Sequence, residues 1–382
     1  LALDTEALIA RFRTAFPGNE AVRIYRAPGR VNVIGEHTDY NEGFVLPVAI
    51  DLSCYAVAGY REGDEIEAFA FDLNEKACIP ISGLGSRTPT GTWMDYVTGV
   101  AQQLLLSGFG PRSARILLSS SIPAGAGLSS SAALEVVSAL ALASEPGPKP
   151  EEVARLCHDA ETKFVGLPCG IMDQYVSVFG RAGHALLIDC RSRELRPVRL
   201  PEDLTLVAVN SNVSHSLRET AYVARVQECR QAVEAVQVLY PQVTSLRDVA
   251  PEMLGLVEGD PRRRARHVIS ENRRVMEFVQ AAESNDRQWM GQLMRESHES
   301  LRLDYQVSCP ELDFLVDTAL TLPGVFGARM TGGGFGGCTV NLLGPEAKEE
   351  FSARIQEAYF HRYGREAAVY VCQPSQGAER IL

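Results

Sequence analysis

Nine cysteines occur in this chain, yet none stands in a C-x-x-C pair. Their spacing suggests neither a zinc site nor a disulfide framework, so reduced thiols in a cytoplasmic protein are expected. Basic residues are outnumbered, 37 Lys and Arg against 48 Asp and Glu, for a net charge of −11. That balance excludes broad electrostatic binding of nucleic acid. The one basic cluster, Arg262 to Arg264 with Arg266, reads as the solvated face of a helix. No apolar run reaches the roughly 20 residues that a membrane span needs. The first residues, LALDTEALIARF, lack a basic segment followed by an apolar one, so no signal peptide is read there. Internal repeats and low-complexity linkers are absent as well.

Apolar residues make up 46% of the 382, enough for a sizeable core, and the length points to two or three domains. Periodicity predicts helices over 4–16, 93–106, 128–143, 150–164, 217–239, 262–284, 286–302, 310–321 and 346–363. Strands are predicted over 22–34 with a break at Pro28-Gly29, and over 44–50, 54–60, 66–71, 114–118, 185–189, 204–210, 325–330, 339–343 and 367–372. The first half is richer in strands and the second in helices. Two α+β domains, 1–205 and 206–382, are therefore expected.

The stretch SSSIPAGAGLSSSAALE, 119–135, reads as a loop opening a helix. Gly125 to Ser131 supply small residues that let backbone approach a ligand, serines suited to N-capping, and a helix N-terminus that attracts an anion, commonly phosphate. No Lys-Ser/Thr follows the second glycine, so this is not a Walker A loop. Three further stretches carry chemistry. Residues 26–43 place Arg30, Glu36, His37 and Asp39 within ten residues of one another, a polar cluster suited to the hydroxyls of a neutral polyol. Residues 161–175 carry Asp173 in an apolar, glycine-bent segment, with Glu161 twelve residues earlier. A serine hydroxyl with one carboxylate is a plausible ligand pair for Mg²⁺, which takes few protein oxygens, although Glu161 also fits a solvated helix position. Residues 327–338, GARMTGGGFGGC, have five glycines in six positions, which makes sense where main chain must wrap a ligand or bend sharply; a tight turn between strands is the bland alternative and would be wasteful at this length.

Together these stretches resemble the signature motifs of the GHMP small-molecule kinases, and GRVNVIGEHTDYNEGFVLPVAI is similar to the signature of the galactokinase family in particular. TWMDYVTGV, CGIMDQY, NSNVSHSL and RRRARHVISEN agree with it in order and spacing, so the resemblance spans nearly the whole chain. It implies a two-domain fold, a mixed N-terminal sheet with helices and a ferredoxin-like C-terminal layer, with the active site in the cleft between them. It further implies phosphoryl transfer from ATP, with Mg²⁺, to the C1 hydroxyl of D-galactose. By the resemblance, Arg30, Glu36, His37, Asp39, Gly170, Asp173 and Tyr222 lie at the sugar, and Asp173 is the catalytic acid-base group with Arg30 beside it. Gly125, Ala126, Gly127, Leu128, Ser129, Ser130 and Ser131 would hold phosphate, Ser131 and Glu161 the magnesium, and Trp93 would lie near adenine. Ser214 stands where some relatives carry an arginine. A monomer binding only small molecules is expected.

Rival expectations are a related sugar 1-kinase acting on N-acetylgalactosamine or arabinose, and a non-catalytic galactose sensor. The intact Ser131-Ala132-Ala133 step favours catalysis over sensing. The Glu-His-Thr-Asp run at 36–39 argues against a mevalonate kinase.

Overall fold

The computed structural model describes residues 4–214 and 218–382. In order the elements are α1 (Thr5–Ala15), β1 (Val22–Asn32), β2 (Phe44–Val45), β3 (Pro47–Tyr60), β4 (Glu65–Ala70), β5 (Glu75–Pro80), α2 (Met94–Leu106), β6 (Ala114–Ser120), α3 (Ser130–Leu142), α4 (Pro150–Asp159) and α5 (Met172–Phe179). There follow β7 (His184–Asp189), β8 (Leu195–Arg199), β9 (Thr205–Ser214), α6 (Arg218–Gln237), α7 (Gly259–Glu283), α8 (Arg287–Ser300), α9 (Pro310–Ala319), β10 (Val325–Thr331), β11 (Gly336–Leu343), α10 (Lys348–Tyr363), β12 (Ala368–Cys372) and β13 (Glu379–Arg380).

A six-stranded sheet runs β13-β1-β3-β6-β4-β5, antiparallel except where β4 pairs with β6. The break expected at Pro28-Gly29 is a shift of register between Pro28 and Arg30 inside one continuous strand. It turns Arg30 out of the ladder's rhythm and brings the backbone close to residue 128: a Cβ on Gly29 would meet the Leu128 carbonyl at 2.6 Å. The two strands expected over 44–50 and 54–60 are instead a two-residue β2 and one unbroken 14-residue β3. The polar Asp51–Ser53 stretch does not turn, because the backbone N–H and C=O of Ser53 are satisfied by the side chain and backbone of Ser121. Three strands escaped the periodicity reading: β5, β8 and β13. β13 and β5 are the edges of this sheet and β8 is an edge of a separate three-stranded sheet, β2-β7-β8; at such edges polar and charged residues replace the apolar alternation.

The second half of the chain builds a four-stranded antiparallel sheet, ordered β10-β11-β9-β12. With helices between β9 and β10 and between β11 and β12, this is the ferredoxin-like arrangement. The main hydrophobic cluster takes residues from both halves, Val31, Ile34 and Val137 together with Leu293 and Val340, and the C-terminal β13 returns to β1. Among the described residues no helix is long and apolar enough to cross a membrane. None of the nine cysteines is joined in a disulfide.

The basic cluster on α7 is not wholly solvated. Arg262, Arg263 and Arg266 are exposed, but Arg264 is 1% exposed. Its guanidinium donates to Glu228 Oε2 at 2.6 Å, to Gln306 Oε1 at 3.0 Å and to the Asp304 carbonyl. Arg264 falls in helical step with buried Val268, Glu271, Val275 and Phe278, so the core face of α7 carries it inward.

Candidate active site

The bulge in β1 aims Arg30 at the start of α5. Its Nε donates to Asp173 Oδ1 and its Nη2 to Oδ2, each at 2.8 Å. Nη1 donates to the Gly127 carbonyl at 2.5 Å, and the Arg30 backbone N–H to the Leu128 carbonyl at 3.1 Å. A bidentate arginine–carboxylate pair is rigid as well as strong. The Asp173 side chain keeps 25% of its surface open, against 7% for Arg30, so the carboxylate is the face of the pair that a ligand can reach.

Ser129 occupies the N-cap position of α3, but its backbone is left-handed, with φ 59°, and its side chain does not cap the helix. This corrects the capping expectation for that residue. The left-handed turn carries Oγ away from the first helical N–H groups, and it donates to Asp173 Oδ2 instead. The loop's Ala126 and Leu128 are buried and anchor it, while Gly125 and Ser130 flank the turn. The glycine-rich segment between β10 and β11 lies directly on this loop. Gly332 has φ 85°, and a Cβ there would press within 3.0 Å of the Gly127 carbonyl. Its small residues therefore serve backbone-to-backbone packing between the two halves.

Glu161 lies in a π-helical turn, Ala160–Val165, that continues α4. Such turns re-aim a side chain by one extra residue per turn. Glu161 Oε1 accepts from Ser131 Oγ at 3.2 Å, and Oε2 from Gln174 Nε2 at 2.7 Å and Cys169 Sγ at 3.2 Å. The Gln174 amide also donates to the fully buried Glu135 at 3.0 Å. Burial, then the negative charge of Asp173, raises the proton affinity of Glu161; burial and then Glu161 raise that of Glu135. A carboxylate so placed gains from a cation, and hydroxyl plus carboxylate is a donor set that suits Mg²⁺ beside phosphate oxygens. Among the described residues no cluster of three or more His, Cys, Asp or Glu could hold a metal by itself.

A second group of side chains lines the neighbouring wall. Gly170 packs so tightly on Asp39 that a Cβ there would collide with its carboxylate. Burial, then the charge of Asp173, pushes the Asp39 carboxyl up to about 7. The His37 ring lies 5.7 Å from Tyr222 and 4.7 Å from Tyr305, and Tyr40 lies 5.6 Å from Tyr222. Burial holds His37 well below the usual imidazole range, and its Nε2 is enclosed with no hydrogen-bond partner. Tyr40 and Tyr305 are parts of this wall that sequence reasoning missed. Tyr40 had a signal, an aromatic beside Asp39 in the first motif; Tyr305 had none.

Glu36 is placed differently from its neighbours in the motif. Its Oε2 accepts from Asn32 Nδ2 at 3.0 Å and Arg329 Nη2 at 2.9 Å, and its Oε1 from the Gly332 backbone at 2.7 Å. Its own carbonyl accepts from His267 Nε2 at 3.0 Å, and the Gly35 N–H donates to Glu271 Oε1 at 2.9 Å. Burial, the largest single influence, would raise Glu271, but Arg274 at 2.8 Å, Arg329, the Ser297 hydroxyl and other neighbours together outweigh it and bring it to about 2. Burial lowers His267 to about 4, so it is neutral. Glu36 is thus tied into a sealed joint between β1, β10 and α7. Trp93 stands at the N-terminus of α2, its indole N–H donating to Glu75 at 2.9 Å and its ring against the main core. The contrast noted at Ser214 concerns a side chain outside the described residues.

Comparison with known proteins bears on this arrangement. Three family profiles match the chain: "Galactokinase galactose-binding signature" over 10–60, "GHMP kinases N terminal domain" over 95–181 and "GHMP kinases C terminal" over 278–361. A galactokinase from Roseiflexus sp. is 45% identical over 386 residues, spanning 100% of this chain and 98% of its own length. The Homo sapiens galactokinase is 43% identical, spanning 97% of this chain and 96% of its own. The chain belongs to the galactokinase family. As a member of it, the protein is a phosphotransferase of the GHMP kinase fold. The crystal structure of Lactococcus lactis galactokinase complexed with galactose superposes with a TM-score of 0.92 at 30% identity, covering 98% of this chain and 99% of that one. A mevalonate kinase from Methanococcus jannaschii shares only the fold, with a TM-score of 0.66 at 20% identity. Within the galactokinase family's matched segments, the first profile contains Arg30 to Asp39 and the second contains the loop, Glu161 and Asp173.

Proposed function

We propose that this galactokinase-family chain transfers the γ-phosphoryl group of ATP to the C1 hydroxyl of D-galactose, giving galactose 1-phosphate, at the join between 1–205 and 206–382. The observation that carries the reading is the position of Asp173. Its carboxylate is held by Arg30 and Ser129 at the Gly125–Ser131 loop, and Gly170, three residues earlier, packs on Asp39 of the sugar-side wall. In this reading one acid serves both a phosphate cradle and a polyol site.

In this reading the loop and the N-terminus of α3 bind the triphosphate, with Trp93 towards the adenine. His37, Asp39, Gly170 and Tyr222 orient the sugar. Three protein donors already fill most of the Glu36 carboxylate, so Glu36 steadies the sugar wall and offers the sugar at most a remaining lone pair. Asp173 accepts the proton of the attacking hydroxyl, and Arg30 keeps the carboxylate aimed and offsets charge gathering on the transferred group. Ser131 and Glu161 would hold Mg²⁺, which supplies neutralisation of phosphate charge when bound. Because the transition state of phosphoryl transfer is loose, positioning and charge outweigh base strength. A monomer in the cytoplasm, with no disulfide, suits small-molecule substrates.

The test is ADP release measured against a panel of sugars, with the product followed by phosphorus NMR. Galactose is expected to drive ADP release and to yield an anomeric phosphate. Release driven by N-acetylgalactosamine or arabinose but not galactose would move the assignment to another sugar 1-kinase. Tight sugar and ATP binding with no release would make the chain a sensor.

A further inference from the structure

Tyr305 lies between two imidazoles, its ring 4.7 Å from His37 at an interplanar angle of 29°, and 4.7 Å from His267. Its hydroxyl is 2.7 Å from that of Tyr40, which is 2.9 Å from His37 Nδ1. On its other side the Tyr305 hydroxyl is 3.1 Å from Cys229 Sγ. The result is a buried chain of four polar groups that ends at a histidine whose second nitrogen is enclosed and unpartnered.

The position of Tyr305 is itself built with care. It closes a π-helical turn, Leu301–Tyr305, that extends α8. Its carbonyl accepts from Arg225 Nε at 2.8 Å, the Gln306 carbonyl accepts from Arg225 Nη2 at 3.0 Å, and the Asp304 carbonyl accepts from the buried Arg264. Carbonyls that a helix end leaves open are thus taken up by two arginines, which fixes the tyrosine.

A neutral imidazole has one donor and one acceptor nitrogen, and the partner of one decides the role of the other. Cys229 Sγ receives the Asn41 amide at 3.6 Å, and a thiol is the weakest donor of the chain whereas a phenol is a strong one. The hydrogens therefore run towards sulfur: Nδ1–H to Tyr40, Tyr40 to Tyr305, Tyr305 to Sγ. Nε2 is left with a bare lone pair.

We propose that Tyr305 is a positioning residue for sugar recognition: through Tyr40 it keeps the proton of His37 on Nδ1, so that Nε2 accepts a hydrogen from one sugar hydroxyl. This rests on the sugar-kinase reading above. It accounts for the unpartnered His37 nitrogen in this wall, since a buried polar atom without a partner costs free energy unless a ligand completes it.

Tyr305→Phe removes the hydroxyl and keeps the stacked ring. Tyr40 then has no acceptor beyond it, turns its hydrogen to Nδ1, and forces the imidazole proton onto Nε2. The KM for galactose is expected to rise about tenfold, with kcat and the KM for ATP changed by less than about twofold. In the parent, at one ring position, the deoxy and deoxyfluoro sugars lose activity equally, because fluorine donates nothing; Tyr305→Phe shows no further loss with either. Should Tyr305→Phe fail to fold, Cys229→Ala removes the terminal acceptor and predicts the same sugar-selective rise. A KM for galactose unchanged in both variants, an equal rise in the KM for ATP, or a deoxyfluoro sugar that keeps the activity its deoxy partner loses would each overturn the proposal. A parent that releases no ADP with galactose would instead refute the functional reading.

Discussion

Two arginine–carboxylate pairs hold this molecule at its centre, and they are chemically alike. Arg329 and Glu36 meet at 2.9 Å with side-chain exposures of 0% and 3%; Arg30 and Asp173 meet at 2.8 Å with 7% and 25%. They differ in geometry, since Arg30 grips Asp173 with two bonds and Arg329 gives Glu36 one, and they differ in burial, which sets what breaking each one costs. The first pair is closed over by Asn32, Gly332 and Thr331, and it joins the first motif to the glycine-rich segment 296 residues on. The second leaves one carboxylate edge open beside the loop. A buried pair is costly to break because the survivor keeps its charge without water, whereas a pair with an open side lets water or a ligand replace the lost partner.

That contrast can be broken by making the same change in each pair. Arg329→Ala strands the Glu36 carboxylate, which burial already drives towards its neutral form even with the arginine present. The expected loss in urea unfolding is about 3–5 kcal/mol. Arg30→Ala is expected to cost well under half of that in the same experiment, while its phosphoryl transfer collapses. Equal stability losses would show that burial does not distinguish the pairs.

A smaller effect sharpens the comparison from the sugar side. Asp39 sits between the pairs with its carboxyl at about 7, raised from 3.8 by burial and by Asp173. Between those values the folded chain keeps a proton that the unfolded chain has released, so this group's contribution to stability falls as pH rises from about 4 to 7 and is level above. Asp39→Asn removes the slope. Relative to the variant, the sugar-free parent should lose about 2–4 kcal/mol across that window, read from unfolding midpoints at several pH values. A difference that does not change with pH would mean that Asp39 is ionised throughout.

The local chemistry of both regions was legible in the chain, and their partners were not. Arg30, Glu36, His37 and Asp39 form a dense polar run whose importance shows at a glance, and the loop before α3 announces itself by its glycines and serines. Which carboxylate turns inward is a long-range matter. Glu36 differs from Asp39 through Arg329, 293 positions away, and nothing in the pattern GARMTGGG marks its arginine as the one that is sealed in. Arg264 was hidden by its exposed neighbours in RRRAR, although its helical step with Val268 and Val275 carried the information. Edge strands β5, β8 and β13 were missed because a strand that meets water on one side has little apolar alternation to read. Ser129 was expected to cap α3 from its residue type; its left-handed backbone, imposed where the loop meets Arg30 and Asp173, gave it another task.

The account turns on Asp173 as the group that joins sugar and phosphate chemistry, and Asp173→Asn isolates it. The amide keeps the shape of the side chain and its one oxygen still accepts one of the two Arg30 bonds, so galactose binding measured by calorimetry should stay close to that of the parent. Turnover measured as galactose-dependent ADP release should fall by about 10²–10⁴. Turnover within a few-fold of the parent, with binding intact, would contradict the account.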